Sequence, residues 1–224
     1  MTNKIIFFDI NGTLVKRDKR TDIPYAEAID RCLNIKDGME GVDTSARSDK
    51  DVFMEILEKN NLEFTSSIWN KFLNIYKSYL EKFKDTDVWR ENANAVDFVK
   101  KMSKTDYKLA LISGELSLGA KYKLKKLGIW DYFAVGGFGE DGLKRFDLAD
   151  AALKKAENKF NCKFDIKYVI GDTILDIKTA RHLSAKIISI TTGSNTRKEL
   201  LKENPDFIID KFDFEKSIFE GEKE

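Results

Sequence analysis

The sequence holds few cysteines, histidines and prolines, and each scarcity excludes a class of protein. Its two cysteines, Cys32 and Cys162, and its single histidine, His182, lack the spacing of a zinc site. Two prolines in 224 residues leave no proline-rich linker. No secretion signal and no run of about 18 apolar residues is present, so we expect a cytoplasmic protein that does not bind membranes.

The chain also lacks an excess of charge of either sign. The 39 Lys and Arg residues offset 38 Asp and Glu residues, which leaves a net charge of +1. Binding to nucleic acid through a broad basic surface is therefore not expected. Hydrophobic residues make up 42% of the chain, enough to bury a core. The length suits one large domain, or a core domain with a second domain inserted into it.

An apolar stretch near the start of the chain ends abruptly in a carboxylate, Asp9, and a Gly-Thr turn follows. The run Lys4-Ile5-Ile6-Phe7-Phe8 predicts a strand buried on both faces, as in a parallel sheet. Asp9 would then lie at the carboxyl end of that strand, where open α/β sheets build their sites. A buried carboxylate is costly unless a cation or several donors hold it. The structural alternative is that Asp9 only caps the turn.

The second half of the chain alternates between strand and helix patterns. This alternation predicts a mostly parallel, three-layer α/β core with right-handed crossovers. The predicted strands cover residues 107–112, 134–137, 167–170, 186–190 and 207–210, and the predicted helices cover 117–127, 146–160, 174–183 and 196–204.

Between the first strand and this alternating region, residues 16–87 show helical patterns only, at 25–35, 49–60 and 69–83. These helices could simply pack on the sheet. Because βα connections are normally short, the long helical stretch favours a separate inserted domain.

The stretch Asp9-Ile10-Asn11-Gly12-Thr13-Leu14 resembles the first motif of the haloacid dehalogenase superfamily, Asp-x-Asp-Gly-Thr-Leu, with Asn11 in place of the second Asp. Ser113 matches the second motif, and the stretch from Gly171 to Asp176 matches the fourth, Gly-Asp-x-x-x-Asp. The resemblance spans nearly the whole chain. It is closest to a phosphoglycolate-phosphatase-like branch, whose Gly-x-Phe-Gly-x-Asp stretch matches residues 136–141.

This resemblance implies a Rossmann-like core of residues 1–15 and 88–224, with an all-helical cap of residues 16–87. It implies that Asp9 is the nucleophile that attacks a phosphoryl group. Mg²⁺ would be bound by Asp9, Asp172 and the main-chain oxygen of Asn11. Asp176 would contribute through a bound water or from the outer coordination shell. Two carboxylates at close range repel each other unless a divalent ion joins them, which agrees with this assignment.

The same resemblance implies the residues that bind the phosphoryl group. Ser113 and the amide of Gly114 would contact its oxygens, and Arg145 would neutralise its charge, with Lys144 as second choice. Arg47, in the loop of residues 44–49, would meet a substrate anion. Each residue has a plainer interpretation: Ser113 as a helix cap, the Lys144–Arg145 pair as solvated surface, and Arg47 as part of an exposed loop.

The implied activity is Mg²⁺-dependent hydrolysis of a small phosphorylated metabolite through an aspartyl-phosphate, by a monomer or homodimer. An amide at position 11 cannot transfer protons, so three interpretations of Asn11 stay open. It could be an engineered trap, a natural variant that handles good leaving groups or borrows a base, or the mark of a protein that only binds a phosphorylated ligand or protein. Dehalogenation is a further alternative, but that branch needs no Mg²⁺.

Overall fold

The computed structural model describes residues 2–44, 47–213 and 219. Six strands form one parallel sheet in the order β3-β2-β1-β4-β5-β6, which confirms the predicted fold class. The strands are β1 (Lys4–Phe8), β2 (Tyr107–Ile112), β3 (Val135–Gly137), β4 (Ile166–Gly171), β5 (Lys186–Ile190) and β6 (Phe207–Ile209).

Eight α-helices accompany the sheet within the described ranges. They are α1 (Ile23–Leu33), α2 (Asp49–Lys59), α3 (Ser66–Phe83), α4 (Ala95–Met102), α5 (Ser117–Lys126), α6 (Arg145–Phe160), α7 (Ile174–His182) and α8 (Arg197–Lys202). Most bounds fall within one or two residues of the sequence prediction. Among these described helices, none is both long and apolar enough to cross a membrane.

The central strand β1 is buried on both sides, as its composition predicts. Ile6 and Phe8 face a hydrophobic cluster that includes residues of α4 and α5. Ile5 and Phe7 face the opposite cluster, which includes residues of α6 and α7. All four side chains are fully buried. The core is therefore three-layered, and the residue that follows β1 emerges at the middle of the sheet edge.

Helices α1, α2 and α3 surround a hydrophobic cluster of their own, which includes Phe53, Phe72 and Trp89. The chain leaves and re-enters the sheet domain through two neighbouring extended segments. Lys16 N donates to Arg90 O (2.8 Å), and Asn92 N donates to Leu14 O (3.0 Å). The helical segment is thus joined to the sheet domain by paired crossings next to the loop that follows Asp9.

Candidate active site

The carboxyl ends of three neighbouring strands bring polar residues to one edge of the sheet. Phe8 of β1 is in register with Leu111 of β2 and with Ile170 of β4. Asp9, Ser113 and Asp172, which follow these three positions, therefore lie at the same edge. Asp9, Ser113 and Asp172 are all buried, so any charge among them is held by protein groups or by a bound ion rather than by bulk water.

Three buried carboxylates, those of Asp9, Asp172 and Asp176, form a cluster at this edge. Each offers one oxygen, and these oxygens lie within 4.8 Å of one another. Asp176 lies in the first turn of α7, where its Oδ2 accepts a hydrogen bond from the backbone N of Thr173 (3.0 Å). Carboxylate oxygens are ligands that Mg²⁺ prefers, and a buried cluster of three needs positive charge. The residues present therefore fit a divalent cation.

The cation that contacts this cluster is Arg145, the first residue of α6. Its Nη2 donates to Asp9 Oδ1 (2.8 Å) and to Asp176 Oδ1 (2.6 Å). Its Nε is buried without a hydrogen-bond partner. Lys144 is exposed at the N-cap of the same helix. Arg145 thus contacts the acidic cluster, and its role in neutralising a phosphoryl group stays a prediction.

Burial and mutual charge within the cluster raise the pKa values of two of its carboxyls, Asp9 and Asp172. Burial, with further contributions from the charges of Asp176 and Asp172, raises the pKa of Asp9 to about 8, although Arg145 opposes the rise. Burial, followed by the charge of Asp176, raises the pKa of Asp172 to about 6. Both carboxyls are thus harder to ionise in the folded chain than in water, where the pKa of Asp is about 3.9.

These raised pKa values predict that the stability of the metal-free protein falls as pH rises, whereas the stabilisation by Mg²⁺ increases. Without metal, the folded state holds more protons than the unfolded state between pH 4 and 8, so these groups lower stability as pH rises. Mg²⁺ binds the deprotonated carboxylates, so the rise in Tm that it causes should grow from pH 6 to pH 9. Thermal unfolding with and without Mg²⁺ checks this trend. An Mg²⁺-induced rise that is the same at both pH values contradicts it.

Asp172 is held in place by one side-chain and one backbone hydrogen bond and lies close to two glycines. Its Oδ1 accepts from Thr13 Oγ1 (3.0 Å), and its Oδ2 accepts from Ser194 N (2.7 Å). A Cβ added at Gly12 would lie 2.7 Å from Asp172 Oδ2, and one added at Gly193 would lie only 1.8 Å from it. Gly12 also has φ +95°, which disfavours other residues. Both glycines therefore leave space for this carboxylate.

Replacing Gly193 by Ala should displace Asp172 and weaken Mg²⁺ binding. Loss of a contact that orients a metal ligand typically costs about 10- to 100-fold in metal affinity. Isothermal titration with Mg²⁺ measures the change. Ser194→Ala is the matched control, because it keeps the backbone N–H that binds Asp172. A Gly193→Ala protein with the parent's Kd for Mg²⁺ would show that Asp172 is not a ligand.

Ser113 and Gly114 lie where the chain leaves β2, in contact with the helical segment. Ser113 Oγ accepts a hydrogen bond from Glu115 N at 3.3 Å. A Cβ at Gly114 would lie 2.3 Å from the main-chain oxygen of Arg47, and Gly114 O accepts from Asp49 N (2.8 Å). The loop that precedes α2 therefore lies directly against the loop that follows β2.

The side chain of Arg47, which precedes α2, is directed to that helix rather than to the acidic cluster. It forms ion pairs with Asp51 (2.6 Å) and with Glu55. Ser45 and Ala46 of the predicted substrate loop lie outside the described residues. The described side-chain hydrogen bonds of Arg47 are all made within residues 43–55.

A trio that the sequence did not predict involves the loop after Asp9: the part-buried Asn11 and the buried Glu115 and Lys123. Lys123 Nζ lies 2.7 Å from Glu115 Oε1 and donates to Asn11 Oδ1 (3.0 Å), while Asn11 Nδ2 donates to Glu115 Oε2 (3.2 Å). A signal for Lys123 did exist. It falls on the same face of α5 as the buried Ala120 and Leu124.

The fold and the site together define an α/β enzyme with an acidic site at the carboxyl edge of a parallel sheet. A family model described as haloacid dehalogenase-like hydrolase matches residues 3–183. The chain belongs to this family of hydrolases, which confirms the resemblance found in its motifs.

The chain is similar to two named proteins and to a solved structure. "Putative pyrophosphatase PpaX" of Caldanaerobacter subterraneus subsp. tengcongensis is 25% identical over 207 residues, covering 92% of this chain and 89% of the relative. A phosphoglycolate phosphatase of Nitrosococcus oceani is 29% identical over 104 residues, or 46% of each chain. The crystal structure of a predicted phosphoglycolate phosphatase from Haemophilus somnus shares the fold, with TM-score 0.65 and 19% identity over the full length of both chains.

Proposed function

We propose that this chain is an Mg²⁺-dependent phosphatase that hydrolyses a small phosphorylated metabolite through an aspartyl-phosphate on Asp9. The observation that carries the proposal is the position of Asp9. It lies at the end of the central strand, with its Oδ1 2.8 Å from Arg145 Nη2. One oxygen each of Asp9, Asp172 and Asp176 lie within 4.8 Å of one another, close enough to bind the same metal ion. The names of two relatives, "Putative pyrophosphatase PpaX" and "Phosphoglycolate phosphatase", support the same chemistry.

In this proposal Asp9 Oδ attacks phosphorus, and the leaving group departs on the opposite side. Arg145 stabilises the negative charge on the transferring group, and the exposed Lys144 that precedes it is the second choice for this role. Ser113 Oγ and the amide of Gly114 bind phosphoryl oxygens. A bound Mg²⁺, held by Asp9, Asp172, Asp176 and the main-chain oxygen of Asn11, would neutralise charge on the phosphoryl group.

Residues 16–87 would form a cap over this edge, and residues 1–15 and 88–224 the core. The contact of Gly114 with Arg47 and Asp49 supports this division, because it places the start of α2 against the loop that would bind the phosphoryl group. Arg47 would need to exchange its partners Asp51 and Glu55 before it could meet a substrate anion.

The test is Mg²⁺-dependent phosphate release from an activated aryl phosphate, 4-nitrophenyl phosphate. Its leaving group needs little protonation, so the reaction does not require an acid at position 11. We expect turnover with Mg²⁺ and none with a chelator. If no turnover is seen but vanadate, a phosphate analogue, raises the Tm in the presence of Mg²⁺, the protein instead only binds phosphorylated ligands.

A further inference from the structure

The side-chain amide of Asn11 lies between two buried side chains of opposite charge. Its oxygen faces the ammonium of Lys123 (3.0 Å), and its nitrogen faces the carboxylate of Glu115 (3.2 Å). Lys123 and Glu115 also pair with each other at 2.7 Å, and their side chains are only 3% and 6% exposed. A primary amide complements both neighbours, because it accepts on one side and donates on the other.

A carboxylate at position 11 would not fit this environment. One of its oxygens would face Glu115 Oε2 at the position where Asn11 Nδ2 now donates at 3.2 Å. Two carboxylates at that range, one buried and one part-buried, repel each other, and Lys123 alone would have to balance both. Glu115 already supplies the negative charge of the trio. Asn11 is therefore matched to its neighbours, rather than being an isolated loss of an acidic group.

This match has a consequence for the substrate, given the proposed phosphoryl transfer to Asp9. An amide cannot protonate a leaving group. We propose that the site is built for phosphoric anhydrides, whose leaving group departs as a stable anion, rather than for phosphate esters of alkyl alcohols. Alkyl alkoxides are poor leaving groups without a proton, and general acid–base help is worth about 10²- to 10⁴-fold.

The reaction with an anhydride balances without an acid at position 11. An Asp9 oxygen forms a bond to phosphorus, and the bridging P–O bond breaks with its electron pair on the departing phosphate. Water oxygen then bonds to phosphorus, and the bond between phosphorus and the Asp9 oxygen breaks, which restores the carboxylate. Both water protons remain on the released phosphate, which loses one to solvent at neutral pH.

The first experiment compares kcat/KM with Mg²⁺ for four probes. Inorganic diphosphate is the anhydride, acetyl phosphate and 4-nitrophenyl phosphate have good leaving groups of other kinds, and glycerol phosphate is the alkyl ester. We expect diphosphate to exceed glycerol phosphate by at least about 100-fold, on the scale of general acid catalysis. Acetyl phosphate separates a requirement for P–O–P linkage from a requirement for any good leaving group.

Two outcomes contradict the inference in different ways. Glycerol phosphate within tenfold of diphosphate, or turnover of the aryl and acetyl probes without diphosphate, overturns the anhydride assignment but leaves the phosphatase intact. No turnover of any probe overturns the proposed phosphoryl transfer itself.

The second experiment exchanges the amide and the carboxylate between positions 11 and 115. Asn11→Asp places two carboxylates together, and Glu115→Gln leaves Lys123 without a buried counter-ion, so each alone should lower Tm by several degrees. The double variant keeps one carboxylate and one amide beside Lys123 and should recover most of the loss. Asn158→Asp, at an exposed position of α6, is the control for the change in net charge.

The double variant also returns a carboxyl to position 11, so its kcat/KM for glycerol phosphate should rise by about 100-fold. The inference is overturned if Asn11→Asp alone keeps the parent's Tm and gains that activity, because the trio then does not select the amide. It is also overturned if the parent hydrolyses glycerol phosphate and Glu115→Gln abolishes this, because Glu115 then supplies the proton. The Tm comparison requires neither metal nor substrate.

Discussion

Asp9→Asn should lower Mg²⁺-dependent phosphate release by at least about 10⁴-fold, on the scale seen when a covalent nucleophile is removed. The amide has nearly the same shape but cannot form the acyl-phosphate bond. The variant should fold normally, because it removes one carboxyl from a cluster in which burial, with a further contribution from the charges of Asp176 and Asp172, raises the pKa of Asp9 to about 8. Steady-state kinetics and thermal unfolding measure the two effects separately.

The signature of this variant is lost activity with retained stability. At pH 8 and without metal, its Tm should be close to that of the parent, whereas the Mg²⁺-induced rise in Tm should shrink because one ligand is gone. Asn158→Asp, at an exposed position, is the control and should leave both the metal-free Tm and the Mg²⁺-induced rise in Tm unchanged. An Asp9→Asn protein that retains a tenth of the parent's turnover would exclude Asp9 as the nucleophile.

Of the substitutions described, Arg145→Met should lower the free energy of unfolding of the metal-free protein the most. Arg145 is the cation that pairs with both Asp9 and Asp176, and its side chain is only 10% exposed. Breaking a buried ion pair by removing one partner costs about 3–5 kcal/mol, because the remaining charges are left unbalanced. Mg²⁺ should restore part of this loss, since the divalent ion supplies positive charge to the same carboxylates.

Turnover of Arg145→Met should also fall, by about 10³-fold, because a guanidinium that stabilises the transferring phosphoryl group is missing. Arg145→Lys is the matched control: it keeps the charge but loses the planar fork, and should lie between the parent and the Met variant in both measurements. Parent-like turnover of Arg145→Met with Mg²⁺ present would remove Arg145 from the proposed mechanism.

The sheet edge could be predicted because its information is local. The apolar run before Asp9, the strand before Asp172 and the capping residues of α7 each lie within a few residues of the group they position. Parallel topology then requires that these strand ends meet. Arg145 was located differently, through the resemblance to the phosphoglycolate-phosphatase-like branch, and the sequence alone could not show that one nitrogen bridges Asp9 and Asp176.

The trio of Asn11, Glu115 and Lys123 could not be predicted in this way. Glu115 and Lys123 lie 104 and 112 residues from Asn11 in the chain, and their pairing depends on how α5 packs beside the loop after β1. In a chain with many lysines, one more lysine on a helix suggests solvated surface. Only its place on the buried face of α5 indicated otherwise.

Arg47 shows the opposite difficulty. A loose motif match suggested a substrate ligand. In the structure Arg47 instead pairs with Asp51, four residues later, at the spacing of helical ion pairs. For Arg47, the four-residue spacing to Asp51 is thus a better indicator of its contacts than the loose motif match of residues 44–49.

The central claim, that Asp9 carries the phosphoryl group, is tested most directly by trapping the intermediate. Turnover with Mg²⁺ and 4-nitrophenyl phosphate is quenched in acid, the protein is reduced with borohydride, and the peptide containing Asp9 is analysed by mass spectrometry. An acyl phosphate is reduced to the alcohol, so Asp9 should be recovered in part as homoserine, only when substrate and Mg²⁺ are both present. Phosphate release with Asp9 recovered entirely unmodified would contradict the mechanism.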